Sequence, residues 1–329
     1  MALFDMTVCA DLGSAATKLS AHGDVSVSET RAALDPENCR RVLAVGDGSR
    51  KLLGATPAYP VRGCVSDIPL AALLLRRLAL DLLGRHSLFG AELLLAVPGA
   101  ATGVERAAAL EVGCEAGFKR TRLIDGLLAG ALGAGLDVFS RRAQMIVNIG
   151  RETLSTAVFA NGGVISQSVS RTGSTAVDRR LMDHFASERR LLITSRTAEA
   201  IKRSLDRPAV SVGCRDVSTG MHTVRRIVSH ELREAAGPAL ALMCGRIAAA
   251  IEAAPPDAAA DLCDSGVTLI GGGALQYGLA ESFERRLGIP VRTAEGAQTS
   301  VVMGMKECAE LGAGFSAPPQ RALYGEKRG

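Results

Sequence analysis

The sequence contains no tryptophan, and aromatic residues make up only 3% of its 329 positions. So few rings leave little material for platforms on which nucleobases stack, and a net charge of +4 is too small to mark a polyanion-binding surface. We therefore expect no nucleic-acid partner. Hydrophobic residues reach 47%, which excludes a disordered chain and supplies enough apolar surface for a large core.

The eight cysteines never occur at CxxC spacing, so the sequence predicts neither a zinc site nor a dithiol redox motif. Most of them lie in apolar runs such as TVCADLG, which is typical of reduced core cysteines in a cytosolic protein. The start of the chain, MALFDM, lacks the basic and apolar regions of a secretory signal, and no apolar run is long enough to span a membrane. We therefore expect a cytoplasmic protein that would meet a membrane only from its surface.

Two stretches of the chain repeat one plan. DLGSAATKLSAHGD (11–24) and NIGRETLSTAVFANGG (148–163) both contain an acid or amide after an apolar strand, a glycine, a turn, a hydroxyl-bearing strand and a second glycine turn. Each stretch is followed by segments of helical periodicity that alternate with short apolar strands. This internal repeat predicts two α/β domains of common design.

Four segments carry a resemblance to a known family: DLGSAATK (11–18), the stretch 96–136 that contains TGVERAAALE, the stretch 148–173, and TAEAIKRSL (197–205) with LIGGGAL (269–275). From about residue 7 to residue 312, the sequence resembles the actin-like ATPase superfamily, and within it the MreB-type bacterial rod-shape proteins.

The resemblance implies an α/β, actin-like ATPase fold with two duplicated RNase H-like domains around a nucleotide cleft. Each domain would hold a mixed five-stranded sheet flanked by helices. Domain I would span 1–147, with a helix at 299–312 returning to it, and domain II would span 148–298. The remaining residues, 313–329, would form a flexible tail.

The resemblance also implies that ATP or ADP lies in the cleft with Mg²⁺, held through the turn amides of two hairpins. Asp11 matches the acid that holds the hydrated Mg²⁺. Glu199 and Lys202, which share a helix face, would reach the ribose and the adenine edge. The other matched positions are Gly13, Ser14, Ala15 and Ala16; Gly150, Arg151, Glu152 and Thr153; and Gly271, Gly272, Gly273, Ala274 and Leu275. From the residues alone, a hairpin turn, a surface ion pair and a tight strand-to-helix turn remain open as plainer interpretations.

The sequence departs from the family pattern at the positions that would contact phosphate and orient the attacking water. Asn148 stands at a catalytic position where the family has an acid, and Arg151 and Glu152 replace glycines that let the backbone approach phosphate. The water-positioning carboxylate falls at Gly126, with the shorter Asp125 beside it as a weak substitute. Because phosphoryl transfer depends on positioning and electrostatics, we expect very weak or absent ATP hydrolysis. Whether ATP binds at all is left open.

Leu88 and Phe89 match a short loop through which family members enter the lipid interface, and Arg85 would assist on anionic lipid. The alternative is that both side chains belong to the local core. The resemblance further implies head-to-tail protofilaments of this chain and cell-wall synthesis membrane proteins as partners. The expected location is the cytoplasm, including the inner face of the cell membrane.

Two other functions remain open on the same fold. One is a nucleotide-binding, chaperone-like or scaffold pseudoenzyme of the microcompartment-associated type. The other is an active sugar-kinase-like phosphotransferase, which the acid-poor second hairpin disfavours. A Rossmann dehydrogenase is not expected, because a hairpin rather than a GxGxxG turn follows the first strand.

Overall fold

The molecule has two halves, each built on a sheet whose first strands form an antiparallel hairpin. The computed structural model describes residues 7–84, 88, 90–311 and 323–328. The elements of the first half are β1 Thr7–Leu12, β2 Ala16–Ala21, β3 Asp24–Glu29, β4 Ala32–Leu34, β5 Val42–Val45, β6 Thr56–Ala58, α1 Ile68–Leu83, β7 Glu92–Val97, α2 Gly103–Ala116, β8 Arg120–Asp125 and α3 Gly126–Gly133. A 3₁₀ helix, Gly46–Lys51, follows β5.

The second half begins with another hairpin and ends with a helix and a strand that return to the first half. Its elements are β9 Gln144–Ile149, β10 Leu154–Ala160, β11 Gly163–Ser170, α4 Thr175–Arg189, β12 Leu191–Leu192, α5 Ser195–Lys202, β13 Ala209–Asp216, β14 His222–Val228, α6 Ser229–Glu252, α7 Pro256–Ser265, β15 Val267–Ile270, α8 Leu279–Leu287 and β16 Val291–Thr293. The returning elements are α9 Ser300–Leu311 and β17 Leu323–Arg328, and a 3₁₀ turn, Gly272–Leu275, follows β15.

The two large sheets share one topology. The first has the order β17-β8-β7-β1-β2-β3 and the second β11-β10-β9-β15-β16. β1 pairs antiparallel with β2 and parallel with β7, just as β9 pairs antiparallel with β10 and parallel with β15. Apart from the edge strand β17, the sheets are therefore equivalent, which confirms the predicted duplication. Two small sheets, β5-β4-β6 and β12-β13-β14, are inserted one in each half.

Two predicted boundaries are wrong. A division at 147/148 would cut β9, which belongs entirely to the second sheet, so the second half begins before Gln144. The tail predicted at 313–329 contains β17, which pairs antiparallel with β8. The unpaired backbone groups on the outer edge of β8 supply partners for this strand. Residues 313–322 and 329 lie outside the described part of the chain.

Local capping signals fix where the first two helices begin and end. The backbone N–H of Leu70 donates to the Asp67 carboxylate over 2.9 Å at the start of α1, and Gly84 ends that helix at φ +61°. Thr102 and Glu105 form a reciprocal capping box at the start of α2. Both helices then cover one face of the first sheet with their apolar sides, so the local and the tertiary signals agree.

Helices α3 and α9 cross between the two sheets. A Cβ atom on Gly133 of α3 or on Gly304 of α9 would overlap the backbone of the other helix, so the crossing requires glycine at both positions. The buried cluster around this crossing takes side chains from both sheets: Cys9, Leu94 and Ile124 from the first, and Ile146, Ala157, Phe159 and Ile270 from the second. α9 also contacts β1, β2 and β7. The two halves therefore share a core at the base of the cleft.

Helix α6 is long and apolar enough, by length and composition alone, to cross a membrane. A core helix of a folded domain passes the same test, so this is a weak indication of a span. Leu232, Met243 and Ile247 of α6 are buried in the core of the second half, where the helix contacts α4 and α8. These contacts bury part of the helix, and 28% of its apolar window is buried.

Candidate functional site

A cleft of about 620 Å³ opens between the two halves. The β1–β2 turn lines it from one side, and the β9–β10 turn lines it from the other. Helix α5 and the glycine turn after β15 complete the walls. The structure therefore brings together, around one cavity, the segments that the sequence singled out at four separate places.

In the β1–β2 turn the backbone folds closely on itself, and side-chain hydrogen bonds hold it in place. A Cβ atom on Gly13 would lie 2.8 Å from the carbonyl oxygen of Ala16, so glycine is required there. The Thr30 hydroxyl donates to the Gly13 carbonyl over 2.5 Å, and the Ser14 Oγ accepts from the Gly63 N–H over 2.7 Å. All four predicted turn residues, Gly13, Ser14, Ala15 and Ala16, line the cleft. Such a turn presents backbone N–H groups to an anion.

Asp11 lines the cleft but is already paired. Its carboxylate accepts from the Lys18 ammonium over 2.8 Å, and the two residues face each other across the β1–β2 ladder. Sequence reasoning did not single out Lys18. The signal was available, because in a hairpin centred between Ser14 and Ala15 the residue that faces Asp11 is Lys18.

The β9–β10 turn is anchored to the start of α4. Gly150 accepts from the Ser174 N–H over 2.9 Å, and the Arg151 carbonyl accepts from the Thr175 N–H and hydroxyl, each over 3.0 Å. Gly150, Arg151 and Thr153 line the cleft. Glu152 is not among the lining residues, and its predicted place beside the nucleotide stays a prediction. The bulk of Arg151, by contrast, does enter the cleft.

Helix α5 presents Glu199 and Lys202 to the cleft wall, as predicted, but both are engaged within the protein. The Lys202 ammonium donates to the Asp178 carboxylate over 2.8 Å and to the Ser174 carbonyl over 3.2 Å. Burial raises the pKa of the Asp178 carboxyl, and the Lys202 charge opposes this only in part. The Glu199 carboxylate accepts from Arg203 over 2.6 Å. A ligand contact by Lys202 would require breaking a buried ion pair, so we do not assign it to the ribose or the adenine.

The glycine turn after β15 packs closely on the second hairpin. Gly271 has φ +87°, and a Cβ atom there would overlap the side-chain oxygen of Asn148. Gly271, Gly272, Gly273 and Leu275 line the cleft, and a Cβ atom on Gly272 would meet only open space. Ala274 is 3% exposed and is not among the residues that line the cleft, so its contact with a nucleotide stays a prediction. This turn brings backbone to the cleft surface as expected.

The predicted substitute catalytic acid does not reach the cleft. Asp125 is 1% exposed and caps α3, accepting from the Leu127 N–H over 2.7 Å. Its second oxygen accepts from the Gln167 amide of β11 over 3.0 Å. Asp125 therefore stabilises a helix start and links the halves, and the position that lines the cleft is Gly126. The expectation that Asp125 extends into the site is wrong because an N-cap satisfies its carboxylate.

The carboxylates that line the cleft are held by neighbouring donors. Asp11, Glu29, Asp178 and Glu199 pair with Lys18, Arg50, Lys202 and Arg203 respectively, and Asp47 accepts from the backbone of Glu29. Asn148 also lines the cleft but carries no charge. Within the described ranges, no group of three or more His, Cys, Asp and Glu is placed to hold a metal ion. Mg²⁺ that accompanies a nucleotide is held by one or two carboxylates together with phosphate oxygens and water, and Asp11 is the acid beside the first hairpin turn that would supply such a ligand.

The predicted membrane loop is wrong in its first residue. Leu88 is 6% exposed and packs in the core of the first half with Leu83 and Leu93, which corresponds to the core alternative. Phe89 lies outside the described residues. Leu88, the first residue of the apolar pair that suggested lipid contact, is therefore a core side chain.

Equivalent sheet-and-helix halves that each present a hairpin turn to a shared cleft define an actin-like fold. MreB5 of Spiroplasma citri bound to AMPPNP has this fold, with a TM-score of 0.87 at 22% identity, covering 95% of this chain and 99% of that one. MamK in a double helical filament matches with a TM-score of 0.79 at 18% identity, covering 93% of this chain and 98% of that one.

The chain belongs to the MreB/Mbl family, because the family model described as MreB/Mbl protein matches residues 5–313. The cell shape-determining protein Mbl of Bacillus subtilis (strain 168) is 28% identical over 317 residues, which cover 92% of this chain and 95% of that protein. The cell shape-determining protein MreB of Escherichia coli (strain K12) is 29% identical over 332 residues, which cover 94% of each chain. The resemblance stated from four short segments is confirmed.

Proposed function

We propose that this chain is a cytoplasmic, cell shape-determining cytoskeletal protein that assembles with its own copies into filaments. It would hold an adenosine nucleotide in the cleft and hydrolyse it slowly or not at all. Family membership and the cell shape-determining relatives Mbl and MreB support the cell-shape role. The similar fold of MamK, solved as a double helical filament, supports self-association.

The observation that carries the nucleotide proposal is the meeting of two hairpin turns in one cleft. Ser14 and Ala15 on one turn and Arg151 on the other line the cleft, and their backbone amides would donate to phosphate oxygens from its two sides. Glu199 would accept from ribose hydroxyls while it keeps Arg203, and the backbone at Gly271–Gly273 would lie along the adenosine. MreB5 of Spiroplasma citri was solved bound to AMPPNP and to ADP, which is consistent with this use of the fold.

Slow hydrolysis follows from the two residues at the position where the family places its water-orienting carboxylate. The side chain of Asp125 is committed to the start of α3, and Gly126 has no side chain. Since an unoriented water loses most of the positioning advantage of an enzyme site, the rate should fall by orders of magnitude.

Sedimentation and phosphate release test this proposal together. The protein is incubated with ATP, ADP or no nucleotide, centrifuged and viewed by electron microscopy, and phosphate is measured in the same tubes. We expect filaments that pellet in a nucleotide-dependent manner and little or no phosphate release. Monomers under every condition would contradict the filament role. Steady phosphate release of many turnovers per filament subunit would contradict slow hydrolysis.

A further inference from the structure

Arg31 lines the cleft at a corner of the backbone that is tied to the first hairpin turn. The Thr30 N–H donates to the Ala15 carbonyl over 3.1 Å, and the Thr30 hydroxyl donates to the Gly13 carbonyl over 2.5 Å. The Arg31 carbonyl accepts from the Gly46 N–H over 2.8 Å. The backbone is therefore held on both sides of Arg31, and its side chain starts from a fixed place next to the turn.

The Arg31 guanidinium has no hydrogen-bond or ion-pair partner in the part of the chain that the structure describes. Its Nε is shielded from solvent. The acids that lie close to it along the chain are engaged elsewhere, since Glu29 pairs with Arg50 and Asp47 accepts from the Glu29 N–H over 2.9 Å. A buried donor without an acceptor costs free energy, and a ligand that brings an acceptor would recover it.

The charged side chains that line the cleft do not cancel. Seven lysines and arginines and five carboxylates line it, so the net charge of the lining is +2. Counting Glu152, which pairs with Arg151 over 4.0 Å but is not a lining residue, still leaves +1. Of the seven basic residues, Arg31 and Arg196 are the two without an ion pair to any acid in the described ranges. A cleft of this composition attracts an anion with several charges.

The two unpaired arginines differ in their surroundings. Arg196 is exposed on the first turn of α5, where water and salt screen its charge. Arg31 is half-buried next to the hairpin turn, where an interaction with an anion is screened less. A guanidinium presents a planar fork of N–H donors that matches two oxygens of one phosphate. Arg31 therefore has the chemistry and the place of a phosphate ligand, whereas for Arg196 we expect only a screened attraction.

We propose that Arg31 binds a phosphate of the nucleotide directly, together with the amides of the first hairpin turn, and so gives the cleft its preference for a polyphosphate ligand. This inference rests on the proposed nucleotide-binding function of the cleft. The phosphate supplies the acceptor that the buried Nε lacks. Lys18 and Arg151 keep their carboxylate partners, so binding through Arg31 requires no ion pair of the protein to break.

The test is calorimetric titration of the full chain, in Mg²⁺, with ATP, ADP and inorganic tripolyphosphate. Arg31→Gln should weaken the binding of all three by about tenfold or more, because charge-assisted hydrogen bonds are lost. Arg31→Lys keeps the charge without the fork and should recover part of the loss. Arg196→Gln is the matched control, since it removes the same charge from the same cleft, and should weaken binding by about threefold or less.

The outcomes separate this proposal from the nucleotide-binding function. Equal losses in Arg31→Gln and Arg196→Gln would overturn the role of Arg31, because the cleft would then attract anions by its net charge alone. Nucleotide binding that Arg31→Gln leaves unchanged would overturn it as well, and the nucleotide-binding function would stand. If the wild type binds tripolyphosphate but neither nucleotide, and Arg31→Gln weakens that binding, the nucleotide-binding function fails and the phosphate role of Arg31 stands. If the folded wild type binds none of the three, both fail.

A stability measurement distinguishes a ligand contact from a role in the fold. The Arg31 guanidinium makes no hydrogen bond within the described residues, so Arg31→Gln should unfold at the wild-type midpoint in urea or above it. A clearly lower midpoint would show that Arg31 acts through the fold, and it would overturn the assignment of Arg31 as a phosphate ligand.

Discussion

Lys202 and Asp178 form an ion pair in the cleft wall, with side chains 9% and 8% exposed. Lys202 also donates to the Ser174 carbonyl, at the place where α4 begins. The pair therefore fixes α5 against the start of α4, which in turn carries the second hairpin turn. A buried ion pair adds little stability compared with apolar residues of similar size, but breaking it is strongly destabilising. The pair therefore serves mainly to fix the positions of the two helices.

Replacing Lys202 with methionine should strongly destabilise the protein, because Asp178 is left buried without its partner. We expect the free energy of unfolding in urea to fall by about 3–5 kcal/mol. Lys51→Met, at an exposed position, is the control and should change it by less than about 0.5 kcal/mol. Adding Asp178→Leu to the Lys202→Met variant should recover much of the loss. A loss below about 1 kcal/mol in the single variant would show that the pair is not structural.

At the scale of elements, the crossing of α3 and α9 depends on two glycines. Gly304→Ala should destabilise the fold by about 1–3 kcal/mol, because the new methyl group overlaps the Ala129 carbonyl of α3. Gly245→Ala in α6 is a matched control, since a Cβ atom there meets nothing within 4 Å. That change should stabilise by about 0.5–1 kcal/mol through helix propensity. Opposite signs in urea unfolding support the close crossing, and equal signs would contradict it.

Helices α4 and α6 are joined by a charged cluster. The Glu231 carboxylate of α6 accepts hydrogen bonds from Arg189 and His184 of α4. The distance from the Arg189 Nε to the Glu231 Oε1 is 2.9 Å. The Arg189 guanidinium and then His184 hold the pKa of the Glu231 carboxyl below its ordinary value of 4.5. Because its folded pKa is depressed, the stabilisation by Glu231 is complete above the ordinary pKa and is lost as pH falls through the folded pKa.

Glu231→Gln should therefore cost stability mainly at neutral pH. We expect the difference in free energy of unfolding between wild type and variant to shrink as pH falls from about 6 to about 3. Glu234→Gln, at an exposed position on the same helix, should show a much flatter difference. Urea titrations at several pH values measure both. A Glu231→Gln difference that grows on acidification would reverse the sign and reject the assignment.

At the scale of the whole molecule, the shared core predicts that the two halves unfold together. Phe159 and Ile270 of the second sheet pack with Cys9 and Leu94 of the first around α3 and α9. Differential scanning calorimetry should give one transition whose calorimetric and van't Hoff enthalpies agree. Two resolved transitions would show that the halves are energetically independent.

The duplicated topology was predictable from the sequence because hairpin turns leave local marks. Gly13 and Gly150 sit where small residues permit tight turns, and the repeat of the two stretches followed from that. The hydrogen-bond and ion-pair partners of the charged side chains were not predictable in the same way. Asp125 caps α3 and Lys202 pairs with Asp178, and both outcomes depend on contacts between distant segments. The edge strand β17 was missed because its partner is supplied by β8, about two hundred residues earlier.

The return of α9 to the first half has a consequence for synthesis. The first sheet is translated early, but the helix that lies against β1, β2 and β7 comes from Ser300–Leu311, near the end of the chain. On the ribosome, the apolar surface around Cys9 and Leu94 stays uncovered until residues 300–311 have emerged, about two hundred residues after the first sheet's central strands. A nascent chain with such an open face is exposed to aggregation and is a natural client for chaperones. The synthesis of α9 thus sets the time at which the apolar core of the first half is covered.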